Sequence, residues 1–468
     1  MERYDIITVG RELPGLITSA LLAKRGKKVL LIDNDKRRDK YLFKKGNYTF
    51  VKEPSLFFGF EKGGVFDQLF SELGITLFLL RREGYNIGYP SPLFQVVLSD
   101  NRIDIFSSRE EFLHELKREF LDEIDNISSF LNEIYQIDDN IYPFVYIPSN
   151  KTFSHLRERI SYLKDRLRYI LSHLKYSKIS GNEYLLQHNL DGRFKEFSEM
   201  LNLFFYLSAA DKVSAVEIIS LFGFLKRGAV SIRGGIPTLS DILIENIKKN
   251  GGSIIPDTNR LRFAHKKRSL QGIYIKEDTM IRGDRFIFNI SKDPFHNRSR
   301  RSYRFYFIIN DNLIPSPMKE NLILAIIYDK DMFADKFIYI NLSPENDRYF
   351  APPGKRCIKI SCILSDGMIK KQADMKERVV NILLRHLTWL MPFSDDGIDF
   401  IGDDMTPPTG RGHLSEIIND SPEIVKKRNV SLLYTRQFKM IEPPNEAVAA
   451  YALADKIIKR KRIGELSV

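Results

Sequence analysis

The pattern of apolar and polar positions near the start of the chain predicts a strand, a turn, a helix and a second strand. Residues 4–9 form a short β-branched run that is typical of a buried strand. An apolar helix is expected over residues 16–25, with Gly26 ending it. The second strand, residues 27–33, ends in Asp33. This order predicts a dinucleotide-binding βαβ unit, and an ordinary crossover that holds no ligand is the alternative.

The predicted turn, residues 10–15, departs at one position from the glycine pattern of dinucleotide sites. Gly-x-Gly-x-x-Gly would place glycines at 10, 12 and 15, and position 12 is Glu12. Two unit charges about 4 Å apart at an effective dielectric near 20 repel by about 4 kcal/mol, or about three decades of affinity. Glu12 therefore predicts weakened pyrophosphate binding, unless its side chain turns toward Arg11. The candidate cofactor-binding residues of this unit are Gly10, Glu12, Pro14, Gly15 and Asp33.

The rest of the chain alternates between helical and strand-like patterns. Residues 101–224 are expected to be mostly helical, and residues 296–394 to be rich in strands. A last strand at 429–433 precedes a helix over 445–460 that has many small residues. The basic, polar run 298–304 is expected to be a solvent-exposed connection. The other strands expected in this part are 321–328, 337–342 and 355–364.

Several motifs, in their order and spacing, resemble the flavin-dependent phytoene desaturase and carotenoid isomerase group of the amine-oxidase-like superfamily. The turn at 227–237 resembles the family's Pro-x-Gly-Gly-Met turn, followed by a helix over 239–250. The resemblance places Gly234 and Gly235 of this turn among the cofactor-binding residues. The other matching motifs lie at 44–59, 102–120, 251–255 and 283–289.

The resemblance implies an α/β fold with a Rossmann-like FAD/NAD(P)-binding domain that is discontinuous in sequence. A helical cap and a β-rich substrate domain would be interleaved with it. The implied boundaries are 1–100, 225–295 and 395–468 for the three parts of the dinucleotide-binding domain, 101–224 for the cap and 296–394 for the substrate domain.

The implied cofactor is FAD, but the motifs that would bind it depart from the family at three places. The first is Glu12. Near 39–41, where the family has Gly-Gly-Arg, this chain has Asp-Lys-Tyr. The family's last strand ends in Gly-Asp, and an ungapped alignment places Tyr434 and Thr435 at this part of the cofactor site. The glycine-rich loop that follows would fall on 439–445, which contain no glycine, so we expect relaxed or altered cofactor binding.

The composition and the absence of targeting patterns indicate the cellular compartment more clearly than they indicate a binding partner. The chain of 468 residues has 72 Lys and Arg against 60 Asp and Glu, but these charges are interleaved, so a specific nucleic-acid role is not favoured. Cys357 and Cys362 are five residues apart in a predicted strand and would point to opposite faces, which argues against a shared metal or a disulfide. No metal site is expected. With neither a signal-peptide pattern nor a run of the roughly 18 apolar residues that a membrane span needs, a cytoplasmic protein is expected.

The segment 151–178 is predicted to be a basic amphipathic helix. It carries eight Lys and Arg against two acids, and its apolar residues recur at helical spacing. Either it is a solvated helix of the cap, or it docks peripherally on an anionic membrane to collect a lipid-soluble substrate. Among the histidines, His413 is either a loop residue or faces a cavity, and His386 is expected in the core together with Trp389.

Two functions remain open at this point, and no catalytic residue is identified. The first is an FAD-dependent oxidoreductase of the phytoene desaturase type that acts on a hydrophobic, isoprenoid-like substrate, with the flavin carrying the hydride chemistry. The second is a flavin-free, non-catalytic member of the fold that binds a hydrophobic ligand or a lipidated partner. Guanine-nucleotide dissociation inhibitors and Rab escort proteins, which share the family's fold, are the precedent for the second function.

Overall fold

The computed structural model describes most of the chain. The described residues are 2–33, 41–52, 55–145, 163–164, 167, 170–206, 212–256, 261–276, 279–292, 300–365, 375–394, 397–405, 426–436 and 442–465. Four sheets are present in them, two of seven strands, one of three and one of two.

The first seven-stranded sheet is largely parallel and is drawn from three distant parts of the chain. Its strands are β1 (Arg3–Val9), β2 (Val29–Ile32), β10 (Ser253–Ile255), β11 (Arg262–Lys266), β12 (Ser269–Lys276), β13 (Thr279–Lys292) and β19 (Val430–Arg436). The order is β10-β2-β1-β13-β12-β11, and β19 pairs in parallel with β13. Strands β10, β2, β1, β13 and β19 run parallel, so their carboxyl ends meet at one edge. This arrangement confirms the Rossmann-like sheet and the last strand predicted from the sequence.

The second seven-stranded sheet is mostly antiparallel. Its strands are β7 (Phe94–Val97), β8 (Arg102–Ile105), β14 (Arg300–Asn310), β15 (Asn321–Ala325), β16 (Phe337–Leu342), β17 (Lys355–Ser365) and β18 (Ile398–Asp403), in the order β18-β14-β17-β16-β15-β7-β8. A hairpin of β3 (Leu42–Lys45) and β4 (Tyr48–Val51) packs on it, and a small sheet joins β5 (Leu56–Phe57), β9 (Val230–Ile232) and β6 (Ile87–Gly88). The domain boundaries given above stay a prediction.

The prediction of a solvent-exposed connection at 298–304 is wrong for residues 300–304, the part that the structure describes. Residues from Arg300 onward belong to β14, and both Tyr303 and Arg304 are buried. The Arg304 guanidinium donates to Asp404 at 2.9 Å and to the Lys52 carbonyl at 3.1 Å. A charged residue is therefore accepted inside the sheet because these two acceptors satisfy it.

Helices pack on both large sheets, and those within residues 109–227 are called the cap below. The helices are α1 (Leu13–Lys24), α2 (Val65–Leu73), α3 (Leu77–Arg82), α4 (Arg109–Glu119), α5 (Ile124–Val145), α6 (Gly181–Gln187), α7 (Arg193–Tyr206), α8 (Ala215–Arg227), α9 (Ile236–Lys249), α10 (Met375–Leu390) and α11 (Glu442–Glu465). Aromatic and aliphatic side chains of the cap join those of α1 and the small sheet in the largest core cluster. A second cluster lies between the second large sheet and α10.

Helix α1 begins three residues earlier than the sequence pattern predicted. Its first residue is Leu13, so Pro14 lies in the first turn and Gly15 lies inside the helix. Proline is tolerated there because the first N–H groups of a helix have no partner within the helix. Every residue from Leu13 to Ala23 is buried, because α9 and α11 pack on the faces that the sheet leaves open. Gly26 follows the helix with a φ of 77°, as expected for a helix-ending glycine.

Two further expectations about side chains are confirmed. Cys357 and Cys362 are free, buried thiols on β17 that join different core clusters on opposite faces of the sheet. His386 is fully buried on α10, and Trp389 packs against the same cluster. His413 lies outside the described residues.

Candidate functional site

The carboxyl edge of the parallel sheet brings most of the predicted site residues together. The first turn of the chain follows β1, Asp33 follows β2, and Tyr434 and Thr435 lie near the end of β19. In open parallel sheets this edge is where ligands bind. The paired backbones of β13 and β19 place Tyr434 opposite Ile290, beyond the end of β1. Strand β19 continues to Arg436, so these two residues lie inside it rather than ending it.

Gly10 and Gly15 allow α1 to approach the end of β13 closely. Gly10 has a φ of 101°, and a Cβ atom at this position would lie 2.6 Å from the carbonyl oxygen of Asn289. A Cβ atom at Gly15 would lie 3.0 Å from both the Asn289 side-chain nitrogen and the Gly10 carbonyl oxygen. These are the backbone requirements for which dinucleotide sites use their first and third glycines. Asn289 is a part of this site that the glycine pattern did not indicate.

Glu12 occupies the N-cap position of α1, where its buried side chain makes no capping hydrogen bond to the helix. Its residue is 6% exposed, and the Tyr41 hydroxyl donates a hydrogen bond of 2.5 Å to its Oε2. The helix dipole favours a negative charge at this position, which is where a dinucleotide site receives a pyrophosphate. The residue at the start of this helix is thus an acid whose carboxylate is hydrogen-bonded within the chain.

The Asp33 carboxylate is also paired with a side chain of the protein, that of Arg11. It is 5% exposed, and its Oδ2 accepts a hydrogen bond of 3.1 Å from a terminal nitrogen of Arg11. The other terminal nitrogen of Arg11 lies 3.8 Å from Asp241 on α9. The contact of Glu12 with Arg11 that the sequence suggests is absent: Arg11 pairs with Asp33, and Glu12 bonds with Tyr41. In a dinucleotide site the acid in the Asp33 position accepts the ribose hydroxyls.

Gly234 and Gly235 form the turn before α9, which packs against α1. Both have positive φ values, 83° and 63°, and Gly235 is the residue immediately before the helix. A Cβ atom at Gly234 would lie 2.4 Å from the Thr238 hydroxyl oxygen, which donates to the Arg233 carbonyl. The two glycines therefore serve the tight turn, and the helix they introduce carries Asp241 toward Arg11.

A second buried ionic group lies where the cap meets the loop before α2. The Arg227 guanidinium donates to Asp138 and lies 3.5 Å from Glu61, and it stacks over the Tyr142 ring. Burial raises the pKa of both carboxyls, and the guanidinium opposes that rise. This group joins α5, α8 and the loop, and nothing in the sequence pattern indicated it. In the described part of the chain, no cluster of His, Cys, Asp and Glu is arranged to hold a metal ion.

The residues at the sheet edge do not fit a bound dinucleotide as they are arranged. The acid that would accept the ribose is paired with Arg11, and the N-cap position of the helix that would accept the pyrophosphate holds Glu12, whose carboxylate bonds with Tyr41. Gly10 and Gly15 keep the backbone shape of the turn, while the carboxylates of Glu12 and Asp33 are paired with groups of the chain itself. The third departure, at 439–445, lies partly outside the described residues.

Comparison with known proteins places the chain in a superfamily. No family model matches it. A curated 4,4'-diapophytoene desaturase (4,4'-diapolycopene-forming) from Methylomonas sp. is 23% identical over 419 residues, which cover 81% of this chain and 78% of the relative. The chain is a distant homologue of the phytoene desaturases. Similarity at this level assigns the chain to the FAD-dependent oxidoreductase superfamily and leaves its substrate open.

Solved structures share the fold over nearly the whole length of the chain. An oxidoreductase from Methanosarcina mazei has a TM-score of 0.59 at 14% identity, with 96% of this chain and 99% of that chain covered. Wild-type putrescine oxidase bound to putrescine has a TM-score of 0.54 at 13% identity, covering 98% and 99%. A Rab GDI from Plasmodium falciparum has a TM-score of 0.55 at 14% identity, covering 97% and 98%. The fold is therefore that of the FAD-dependent amine oxidases, and it also occurs in a GDI.

Proposed function

We propose that this chain is a flavin-independent member of the fold that binds a hydrophobic, isoprenoid-like ligand. The observation that carries the proposal is the pair of contacts at the sheet edge, Arg11 with Asp33 and Tyr41 with Glu12. Binding a dinucleotide there would require the first contact to open and a dianion to approach the second. The repulsion alone amounts to about 4 kcal/mol for charges about 4 Å apart.

The ligand class follows from the relatives. The curated relative is named for the conversion of 4,4'-diapophytoene to 4,4'-diapolycopene, both of them polyenes. The Rab GDI of the same fold is a precedent for a binding function. Because function resides in the site and not in the fold, retaining the scaffold while losing the cofactor is physically consistent.

An FAD-dependent oxidoreductase is the second candidate, supported by a different observation. Gly10 and Gly15 still permit the close approach of α1 to Asn289 that a dinucleotide site needs. If the side chains of Arg11 and Glu12 rearranged on binding, the turn would still offer backbone N–H groups to a pyrophosphate.

A ligand-binding experiment separates the two functions. The protein, expressed with FAD supplied, is mixed with 4,4'-diapophytoene in detergent micelles and passed over a gel-filtration column. The proposal predicts saturable co-elution of the polyene, recovered by mass spectrometry with unchanged hydrogen content. Recovery of a product that has lost hydrogens would favour the oxidoreductase, and failure to co-elute would contradict the ligand class.

The matched control for that experiment is a variant of the site itself. Arg11→Ala combined with Glu12→Gly removes the two groups that occupy the sheet edge, and it leaves the second sheet and the cap unchanged. We expect this variant to co-elute with the polyene as the native chain does. Loss of co-elution in a folded double variant would show that the ligand binds through the sheet edge.

A further inference from the structure

An apolar stripe is exposed on the helical segment between α5 and α6. Within the described residues of this segment, the stripe consists of Leu163, Leu167, Ile170, Leu171 and Leu174. Their spacing of four, three, one and three residues places them on one face of a helix. Each is between 41% and 59% exposed. We call this surface the 163–174 stripe.

The 163–174 stripe differs from the apolar faces of the neighbouring helices. Helix α5, for example, buries Ile127, Phe130, Leu131 and Ile134 almost completely. The segment is nevertheless held to the cap at its end, because Tyr176 is buried and its ring lies 5.8 Å from the ring of Tyr184 on α6. A contiguous exposed apolar surface on an otherwise packed protein indicates an interaction site.

The basic residues beside the stripe indicate which kind of partner it would bind. Lys164, Lys175 and Lys178 are exposed in the described part of the segment. In sequence, residues 151–178 carry eight Lys and Arg against two acids. An apolar stripe flanked by basic residues is typical of helices that lie in the interface of an anionic bilayer. A second copy of the chain would bring two positively charged helices face to face, which their repulsion opposes.

We propose that the 163–174 stripe docks the protein on the surface of an anionic lipid bilayer, with the helix lying parallel to that surface. The apolar residues would enter the boundary between headgroups and acyl chains, and the lysines would contact lipid phosphates. In the part of the chain that the structure describes, no helix is long and apolar enough to cross a membrane. This surface is independent of the sheet edge, so the proposal does not rest on whether flavin binds.

Vesicle co-sedimentation of the full chain tests the docking surface. The probes are vesicles of phosphatidylcholine alone and of phosphatidylcholine mixed with phosphatidylglycerol. We expect the native chain to bind the mixed vesicles, and to bind the neutral ones at least about ten-fold less, because the basic residues add to the apolar contact. Raising the salt concentration should release the protein, because screening weakens the lysine contribution.

Variants identify the residues responsible. Leu167→Ser with Leu171→Ser removes apolar area without adding charge, and we expect binding to mixed vesicles to fall about ten-fold or more. The matched control is Leu121→Ser with Phe393→Ser, two residues that are 64% and 87% exposed elsewhere on the surface. Far-ultraviolet circular dichroism confirms that each variant is folded.

Three results would overturn the proposal. The first is a native chain that binds neither kind of vesicle. The second is equal binding by the native chain and the Leu167/Leu171 variant. The third is self-association of the native chain, measured by sedimentation velocity without lipid, that this variant abolishes, because the stripe would then contact a second copy.

Discussion

At the scale of single residues, the site is defined by two charged side chains that face inward. A buried carboxylate is costly unless hydrogen bonds or an opposite charge compensate it. Glu12 has the Tyr41 hydroxyl as a donor at 2.5 Å, and Asp33 has the Arg11 guanidinium at 3.1 Å. Both carboxylates are thereby hydrogen-bonded within the chain. They lie at the two positions where a dinucleotide site contacts its cofactor.

The first prediction concerns the charge at position 12. Glu12→Gly should tighten FAD binding relative to the native chain, because it removes both the bulk and a repulsion of up to about 4 kcal/mol at the helix N-terminus. Glu12→Gln, which keeps the bulk and removes only the charge, should give a smaller gain. Equilibrium dialysis against FAD measures all three proteins. Equal affinities throughout would contradict the role assigned to Glu12.

The second prediction concerns His386, whose buried ring makes hydrogen bonds through both of its nitrogens. Its Nε2 accepts N–H groups of Ile327 and Tyr328 at 3.1 and 3.3 Å, and its Nδ1 lies 2.8 Å from the Ile382 carbonyl oxygen. Burial lowers the pKa of His386 below its ordinary value. A proton on Nε2 would also disrupt both backbone contacts.

The lowered pKa of His386 determines how the free energy of unfolding depends on pH. With a folded pKa below the unfolded value of about 6.5, the unfolded chain takes up the proton first as the pH falls. The free energy of unfolding should therefore decrease as the pH falls below about 6.5. Urea unfolding between neutral and mildly acidic pH should show a shallower decrease for His386→Gln. Equal slopes in the native protein and in His386→Gln would refute the assignment.

At the scale of elements, an ionic contact joins three helices around the parallel sheet. Arg25, next to the end of α1, donates to Glu72 of α2 at 2.7 Å and to Asp455 of α11 at 2.8 Å. The Tyr451 hydroxyl of α11 also donates to Glu72. Asp455 is only 1% exposed, so this contact compensates a buried charge where the two ends of the chain meet.

The third prediction is that Arg25→Met destabilises the protein by about 3 kcal/mol, because it leaves the buried Asp455 carboxylate without its guanidinium. Urea unfolding at neutral pH measures the change. Arg3→Met provides the control, because Arg3 pairs with Asp284 where both side chains are exposed, and its unfolding midpoint should stay unchanged. A small effect for Arg25→Met would mean that the helices are held by apolar packing alone.

The elements were predictable from the sequence to a greater extent than the contacts between them. β-branched runs and glycine positions identified the parallel sheet and its helices, since both depend on local pattern. Helix α1 begins three residues before its predicted start because the glycine pattern assigns residues 10–15 to a turn, although proline is accepted in a first helical turn. The partners of Arg11 and Glu12 were not predictable, because Tyr41 and Asp33 approach them only in the folded chain.

At the scale of the whole molecule, the chain has the fold of the FAD-dependent amine oxidases, with internal contacts at the carboxyl edge of its parallel sheet. The chain matches an oxidoreductase and a putrescine oxidase over nearly its full length. A GDI with a similar TM-score has the same fold. The architecture is therefore compatible with catalysis and with binding alone, and the internal contacts at the sheet edge are what favour binding.

The visible absorption spectrum of the purified chain, expressed with FAD supplied, shows whether the chain holds a flavin. We predict no flavin bands, and no rise of the melting temperature when FAD is added to the purified protein. A yellow protein carrying about one flavin per chain would contradict the central claim, because the Arg11–Asp33 and Tyr41–Glu12 contacts would then have to open to admit the cofactor.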